Sequence, residues 1–171
     1  AIIHYYIQDL QDTDTVLLDI LDAAGNPIQQ FSNKAKTSEH DPASVKPLKV
    51  SSGGNRFVWN LRYPGFASFE GMVLYSSPNV GPKAVPGTYR VRLSYNGQVR
   101  EEAFQVIRDP RLPNTGEDYQ EQFDFLMAVR DEVSAANHSI ERIRKLKKDM
   151  EYLEEKFSDH PEVLERIEAF E

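Results

Sequence analysis

The chain has 171 residues, of which 40% are hydrophobic, and its 20 Lys and Arg against 27 Asp and Glu leave a formal net charge of −7. This length allows one ordinary domain with an appendage. The acidic balance argues against nucleic acid and anionic membranes as partners, because both need a basic protein surface. The chain has no cysteine, which removes disulfides, thiol nucleophiles and thiolate metal sites.

Residues 1–108 have the apolar alternation and turn residues that are typical of β-structure. The strand-like runs lie at 2–7, 15–21, 28–31, 56–62, 72–75, 87–95 and 98–107. Between them, residues 32–54 form a long predicted loop, in which Val45, Leu48 and Val50 would attach the chain to a sheet. Short strands with frequent turns predict an antiparallel β-sandwich.

Trp59, the single tryptophan, lies in the most informative of these runs. Phe57, Trp59 and Leu61 alternate with polar residues, so they share one face of the predicted strand. We therefore predict that Trp59 is a core anchor rather than a platform for a ligand. Farther along, Asn96 and Gly97 form the strongest short signal for a β-hairpin.

The pattern changes after residues 109–115, a Pro-rich segment that we predict to be a hinge. Thr115 and Asp118 have the spacing of a helix capping box. No proline or glycine interrupts residues 117–157, which predicts a helix of about 40 residues and ~60 Å. Its apolar residues form a coiled-coil-like row with one phase break, named here the apolar seam. The seam consists of Leu126, Val129, Val133, Ala136, Ile140, Ile143, Leu146, Met150, Leu153 and Phe157.

A second helix is predicted from Pro161, since proline suits the first turn of a helix. Its apolar face comprises Val163, Leu164, Ile167 and Phe170. Residues 116–171 thus predict a helical hairpin whose second arm is truncated. The chain begins within a strand-like run and ends within a helical one, so we expect it to be a fragment of a longer protein.

The sequence nominates no catalytic, cofactor or metal site. The four histidines, His4, His40, His138 and His160, stand in no metal-binding spacing. Motifs for phosphate, dinucleotide or serine-hydrolase chemistry are also missing. The basic cluster at 142–148 is interleaved with acids, which favours a solvated helix face. We predict that the chain is not an enzyme and holds no cofactor.

Three aromatic residues, Tyr63, Phe66 and Phe69, surround the turn at Pro64 and Gly65. They are the best candidates for an exposed apolar patch. Such a patch could contact a protein partner or stack on the rings of a polysaccharide.

The order of these features resembles the C-terminal region of bacterial sortilin-like repeat proteins, often labelled glycosyl hydrolases with BNR-type propellers. The resemblance rests on GGNRFVWNLRYPG, GMVLYSSPNVGPKAVPGTYRVRLSYNG, FQVIRDPRLP and the long helix that follows, and covers most of 1–145. The segment IIHYYI…VLLDILDAAGNPIQQFS also resembles the Ig-like domain of the flagellar hook-capping protein. Residues 32–50 match neither pattern. The resemblance implies an upstream β-propeller and an extracytoplasmic location, and it carries no catalytic residue onto this chain.

Together these observations predict a mainly β protein, with an immunoglobulin-like antiparallel β-sandwich at 1–108, a hinge at 109–115 and a long α-helical hairpin at 116–171. We expect a non-catalytic accessory module of a larger secreted protein that packs against its propeller, another protein or a second copy. The alternative is a carbohydrate-binding domain that uses the aromatics near 63–69. The expected helical interaction surface is Val133, Ile140, Met150, Leu153 and Phe157.

Overall fold

The computed structural model describes residues 1–36, 38, 40–75 and 78–169, with the backbone alone at residue 168. In this part of the chain, seven strands precede two helices. The strands are β1 (Ile2–Ile7), β2 (Val16–Leu21), β3 (Pro27–Ser32), β4 (Lys46–Pro47), β5 (Gly53–Val58), β6 (Gly87–Tyr95) and β7 (Gln98–Val106), and the helices are α1 (Gly116–Lys156) and α2 (Pro161–Glu168). The predicted β-rich body and long C-terminal helix are confirmed.

The strands form two sheets that share one hydrophobic core. One sheet pairs β1 with β5, and the other has the order β4-β3-β2-β6-β7. All pairs are antiparallel except the short pair of β3 with β4. The buried core comprises Ile7, Val16, Leu18, Ile20, Ile28, Leu48, Trp59, Ala84 and Tyr89. Because both sheets and the connecting loops contribute to it, this core fixes where the loops leave the body.

Trp59 lies at the centre of this core with 3% of its surface exposed, which confirms the predicted core anchor. Its ring centroid lies 5.4 Å from that of Tyr89 and 6.0 Å from that of Phe104. The indole N–H donates to the carbonyl of Arg62 at 3.2 Å, so the one polar atom of the ring is paired. The chain leaves the sheet directly afterwards, because Leu61 adopts a φ of 60°.

The predicted hairpin between β6 and β7 is confirmed. Asn96 and Gly97 have φ values of 47° and 73°, the two positive angles that a two-residue hairpin turn of this twist requires. In the turn between β2 and β3, the carboxylate of Asp22 accepts hydrogen bonds from the backbone and side-chain N–H groups of Asn26.

The predicted loop at 32–54 contains β4 and the first residues of β5. Leu48 is buried, and its N–H donates to the carbonyl of Ser32 at 2.8 Å, so this residue attaches the loop to the sheet as expected. Thr37 and Glu39 lie outside the described residues.

The predicted strand at 72–75 does not form. Gly71 has a φ of 80°, and the N–H of Met72 closes a turn onto the carbonyl of Phe69. The apolar residues that suggested a strand therefore lie in a long loop. Ser76 and Ser77, which follow, lie outside the described residues.

Helix α1 begins at the predicted cap and runs for 41 residues. The hydroxyl of Thr115 accepts from the N–H of Asp118 at 3.2 Å, and the carboxylate of Asp118 accepts from the N–H of Thr115 at 2.7 Å. The pKa of the Asp118 carboxyl is lowered because its carboxylate accepts from both the N–H of Thr115 and, at 2.9 Å, the Thr115 hydroxyl. In the described residues, neither helix has the length and apolarity needed to cross a bilayer.

Helix α2 lies against the C-terminal part of α1. Met150 of α1 and Ile167 of α2 are both nearly buried, at 9% and 8% exposure. The last apolar residue of the predicted α2 face, Phe170, lies outside the described residues.

Candidate interaction site on the 63–81 loop and helix α1

A loop of the β-rich body packs against helix α1. Its base is a short antiparallel pairing, in which the N–H of Tyr63 donates to the carbonyl of Pro82 and the N–H of Ala84 donates to that of Leu61. The pairing closes residues 63–81 into one unit, named here the 63–81 loop. Since Ala84 is a core residue, the core of the body holds this base in place.

Two glycines allow the two ends of this loop to approach each other closely. A Cβ atom at Gly81 would lie far closer than van der Waals contact to the backbone carbonyl oxygens of Tyr63 and Pro64. A Cβ at Gly65 would collide with the side chain of Asn79. Only glycine fits at these two positions without displacing the neighbouring atoms of the loop.

Asn79 supports the turn of the loop from inside. Its carbonyl oxygen accepts from the N–H of Phe66 at 2.9 Å, and its amide donates to the carbonyl of Phe66 at 2.6 Å. Both backbone groups of Phe66 are thereby satisfied, and the backbone groups of the next residue, Ala67, face α1.

Two side chains of α1 bind the backbone of Ala67 in the loop. The N–H of Ala67 donates to the hydroxyl of Ser134 at 3.1 Å, and the amide of Asn137 donates to the carbonyl of Ala67 at 2.7 Å. Ser134 and Asn137 are three residues apart, so they lie on the same face of the helix. Asn137 is 5% exposed, which makes it one of the few buried polar residues of the protein.

Farther along the helix, Arg144 makes a second attachment to the loop. Its guanidinium donates to the carbonyl of Glu70 at 2.9 Å and lies 4.5 Å from the ring centroid of Phe69. This position is favourable for a cation–π interaction. The loop and α1 are therefore joined at two points that span three turns of the helix.

The three aromatic residues of the predicted patch all lie against or beside α1. Tyr63 packs edge-on against Phe123, with ring centroids 4.8 Å apart, and Phe69 lies under Arg144. Phe66 lines a groove beside the helix. All three side chains are half-buried. Protein groups thus occupy one face or edge of Tyr63 and Phe69, where a sugar ring would otherwise stack.

Burial at this junction raises the pKa of Tyr63 from 10.0 to about 12, with smaller contributions from Tyr89 and Asp22. The phenol of an unfolded chain ionises near pH ~10. The folded state therefore holds the Tyr63 proton more tightly, so stability is complete below pH 10 and falls as the pH rises towards 12. We expect Tyr63→Phe to make this decline shallower in urea unfolding measured below and above pH 10. An unchanged decline would contradict the burial of the phenol.

The face of α1 that contacts the loop is not the apolar seam. The buried and half-buried positions of the N-terminal half are Tyr119, Phe123, Met127, Arg130, Val133, Ser134 and Asn137, of which Val133 alone belongs to the apolar seam. Periodicity of apolar residues misses this face because the two residues that bond to the loop, Ser134 and Asn137, are polar. The available signal was the presence of Ser134 and Asn137 in mid-helix, where such residues often bond elsewhere.

Most of the apolar seam remains exposed. Leu126, Val129, Ile140, Ile143, Leu146 and Leu153 are between 36% and 56% exposed. Of the other residues predicted for the interaction surface, Val133 and Phe157 are half-buried, and Met150 is buried beside α2. The exposed residues form a row beside the face that contacts the loop.

In the described part of the chain, no three His, Asp or Glu side chains come together as a metal site. His40 contacts the hydroxyl of Ser68 at 3.2 Å, and His160 contacts Glu162 at 3.2 Å. Comparisons of the chain with protein-family models, with curated proteins and with solved structures find no match. The resemblance to sortilin-like repeat proteins therefore stays a prediction.

Proposed function

We propose that this chain is a non-catalytic accessory and interaction module of a larger secreted protein. In this proposal, the two sheets form an immunoglobulin-like sandwich, and α1 with α2 forms a helical hairpin that carries the contact surface. The partner is an upstream β-propeller of the same protein, another protein or a second copy of the chain. The propeller and the extracytoplasmic location come from the sequence resemblance alone.

The observation that carries this proposal is the exposed apolar seam on a helix that is anchored on another face. Ile140 and Ile143 are 36% and 56% exposed, although large apolar side chains at helical spacing usually face a core. The contacts of Ala67 and Glu70 with α1 hold the helix in one orientation. The helix therefore cannot rotate about its axis to bury the seam against the β-rich body. An ordered apolar row of this kind is typical of a surface that packs against a partner.

The alternative, polysaccharide binding by Tyr63, Phe66 and Phe69, has less support. Phe123 and Arg144 already contact two of the three rings. An interaction module that uses the seam explains why these apolar residues of α1 are exposed. It also leaves the contacts of the aromatic rings with Phe123 and Arg144 unchanged.

Light scattering over a wide range of concentrations tests the proposal, because a chain lacking its partner should cover the seam by associating with itself. We expect the average mass to rise with concentration for the unmodified chain and to stay at the monomer for the double variant Ile140→Asp and Ile143→Asp. Each carboxylate would have to be desolvated in the contact. The matched control is Ala135→Asp, an exposed position of α1 outside the seam. Monomeric behaviour of the unmodified chain at every concentration would contradict the proposal.

A further inference from the structure

A groove runs between the N-terminal third of α1 and the β-rich body. It has a volume of about 790 Å³, a size that suits several side chains of a ligand. One wall is α1 from Tyr119 to Val133, and the other consists of residues 80–86 with residues 107–109. The first turns of the apolar seam therefore form one side of this groove.

Apolar side chains on both walls are exposed to an unusual degree. Ile107 is 80% exposed and Val80 54% on the body, whereas Val129 and Leu126 on α1 are 45% and 40% exposed. Four such side chains around one concave surface are a feature of a binding site rather than of scattered surface residues. A ligand that covers them must carry apolar groups.

The charge of the groove is opposite to that of the chain. Its lining contains four basic residues, Arg62, Lys83, Arg108 and Arg130, and one acidic residue, Asp109. The balance is 4 − 1 = +3, on a chain whose net charge is −7. A cluster of this sign on an acidic protein attracts anionic ligands to one place and repels cationic ones.

Three of these basic groups have no acidic partner in the described part of the chain. No carboxylate lies within salt-bridge distance of Arg62, Lys83 or Arg108 there, whereas Arg130 pairs with Asp131. Arg62 and Arg108 each donate to a backbone carbonyl, of Gly81 and Asn114 respectively. Both side chains line the groove, and these bonds to backbone carbonyls do not neutralise their positive charge.

We infer that this groove binds a segment of a partner polypeptide in which acidic residues flank apolar ones. The apolar side chains would cover Ile107, Val129 and Leu126, and the carboxylates would pair with Lys83 and Arg108. Nucleic acid fits less well, since it offers phosphates but no aliphatic groups for the walls. The inference rests on the proposed interaction function and specifies the chemistry of the partner for the N-terminal part of the seam.

A library of random peptides displayed on phage, selected on the immobilised full chain, tests this inference. We expect enrichment of peptides that combine Asp or Glu with Leu, Ile, Val or Phe. An enriched peptide, synthesised with a fluorescent label, is then titrated by anisotropy against the chain and its variants. The double variant Lys83→Glu and Arg108→Glu should weaken binding about tenfold or more, because it replaces attraction by repulsion. Val129→Asp should weaken binding about as much, because it places a charge on the apolar wall.

The matched control is the double variant Arg142→Glu and Lys147→Glu, which makes the same change of charge on α1 outside the groove. It should keep binding within about twofold, because charges beyond a Debye length of ~8 Å are screened at physiological salt. Lack of enrichment, enrichment of basic peptides, or equal loss in the control would overturn the inference. If heparin bound at the groove with the same affinity as the enriched peptides, the inference would be overturned and the ligand would be a polyanion. If peptides fail but Ile140→Asp and Ile143→Asp still abolish self-association, the groove inference fails and the proposed function stands.

Discussion

Replacing Gly81 by alanine is expected to lower the free energy of unfolding by about 3 kcal/mol, at the upper end of the usual cost of overpacking. The added methyl group would collide with the carbonyl oxygens of Tyr63 and Pro64. Both obstacles are backbone atoms at the base of the 63–81 loop, so no side chain can rotate away to make room. Urea unfolding followed by the fluorescence of Trp59 measures the change.

Gly87→Ala is the matched control for this substitution. Gly87 opens β6, has no heavy atom within 4 Å of a Cβ built on it, and has no positive φ. Its replacement should therefore change the free energy of unfolding by no more than about 0.5 kcal/mol. Equal stability of the two variants would show that the close approach at Gly81 does not exist in solution.

Asn137→Ala is expected to lower the free energy of unfolding by about 2 kcal/mol. The variant loses the 2.7 Å bond to the carbonyl of Ala67, which is left half-buried without its partner. The cost of an unsatisfied group of this kind is ~1–3 kcal/mol. Because α1 has its own cap and many internal bonds, we expect its helicity, measured by circular dichroism, to stay unchanged. Hydrogen exchange at the N–H of Ala67 should become faster as the junction opens more often.

Ser139→Ala serves as the control for this second prediction. The hydroxyl of Ser139 is exposed and donates only to the carbonyl of Ala135 within the same helix. Its loss should change the free energy of unfolding by no more than about 0.5 kcal/mol. The proposed anchoring of α1 would be contradicted if Asn137→Ala had the same free energy of unfolding as Ser139→Ala and the same hydrogen exchange at Ala67 as the unmodified chain.

If α1 is anchored in this way, the junction with the 63–81 loop has a consequence for binding. The apolar seam and the groove share Leu126, Val129 and Val133, and both surfaces depend on the orientation of α1. Variants of Asn137 should therefore weaken partner binding even though Asn137 lies outside the groove and the seam. Affinity would be lost because partner binding would then have to fix the orientation of α1, and this ordering costs conformational entropy.

Local rules predicted most of the secondary structure. Asn96 and Gly97 adopt positive φ with little cost, and Thr115 with Asp118 satisfies the first N–H groups of a helix. Alternation around Trp59 identified the residue that anchors the core, since one face of the chain must be buried when the other is polar. In each of these cases the cause lies within a few residues of its effect.

The strand predicted at 72–75 shows where such rules fail. The apolar pattern there is real, but the segment follows a turn at Gly71 and lies in a loop that packs on α1 instead of joining a sheet. For Tyr63, Phe66 and Phe69, the sequence places the aromatics beside a turn but does not show that Phe123 and Arg144 contact two of them.

The sequence by itself determined most of the strands, the hairpin turn, the cap of α1 and the apolar seam that α1 carries, because periodicity and turn chemistry act over short distances. Only the tertiary structure decided which face of α1 meets the body. That face is selected by Ser134 and Asn137, whose partner at Ala67 lies about 70 residues earlier in the chain. Hydrogen bonds to the backbone leave no periodic signature in the sequence, and with this face against the loop most of the apolar seam stays exposed.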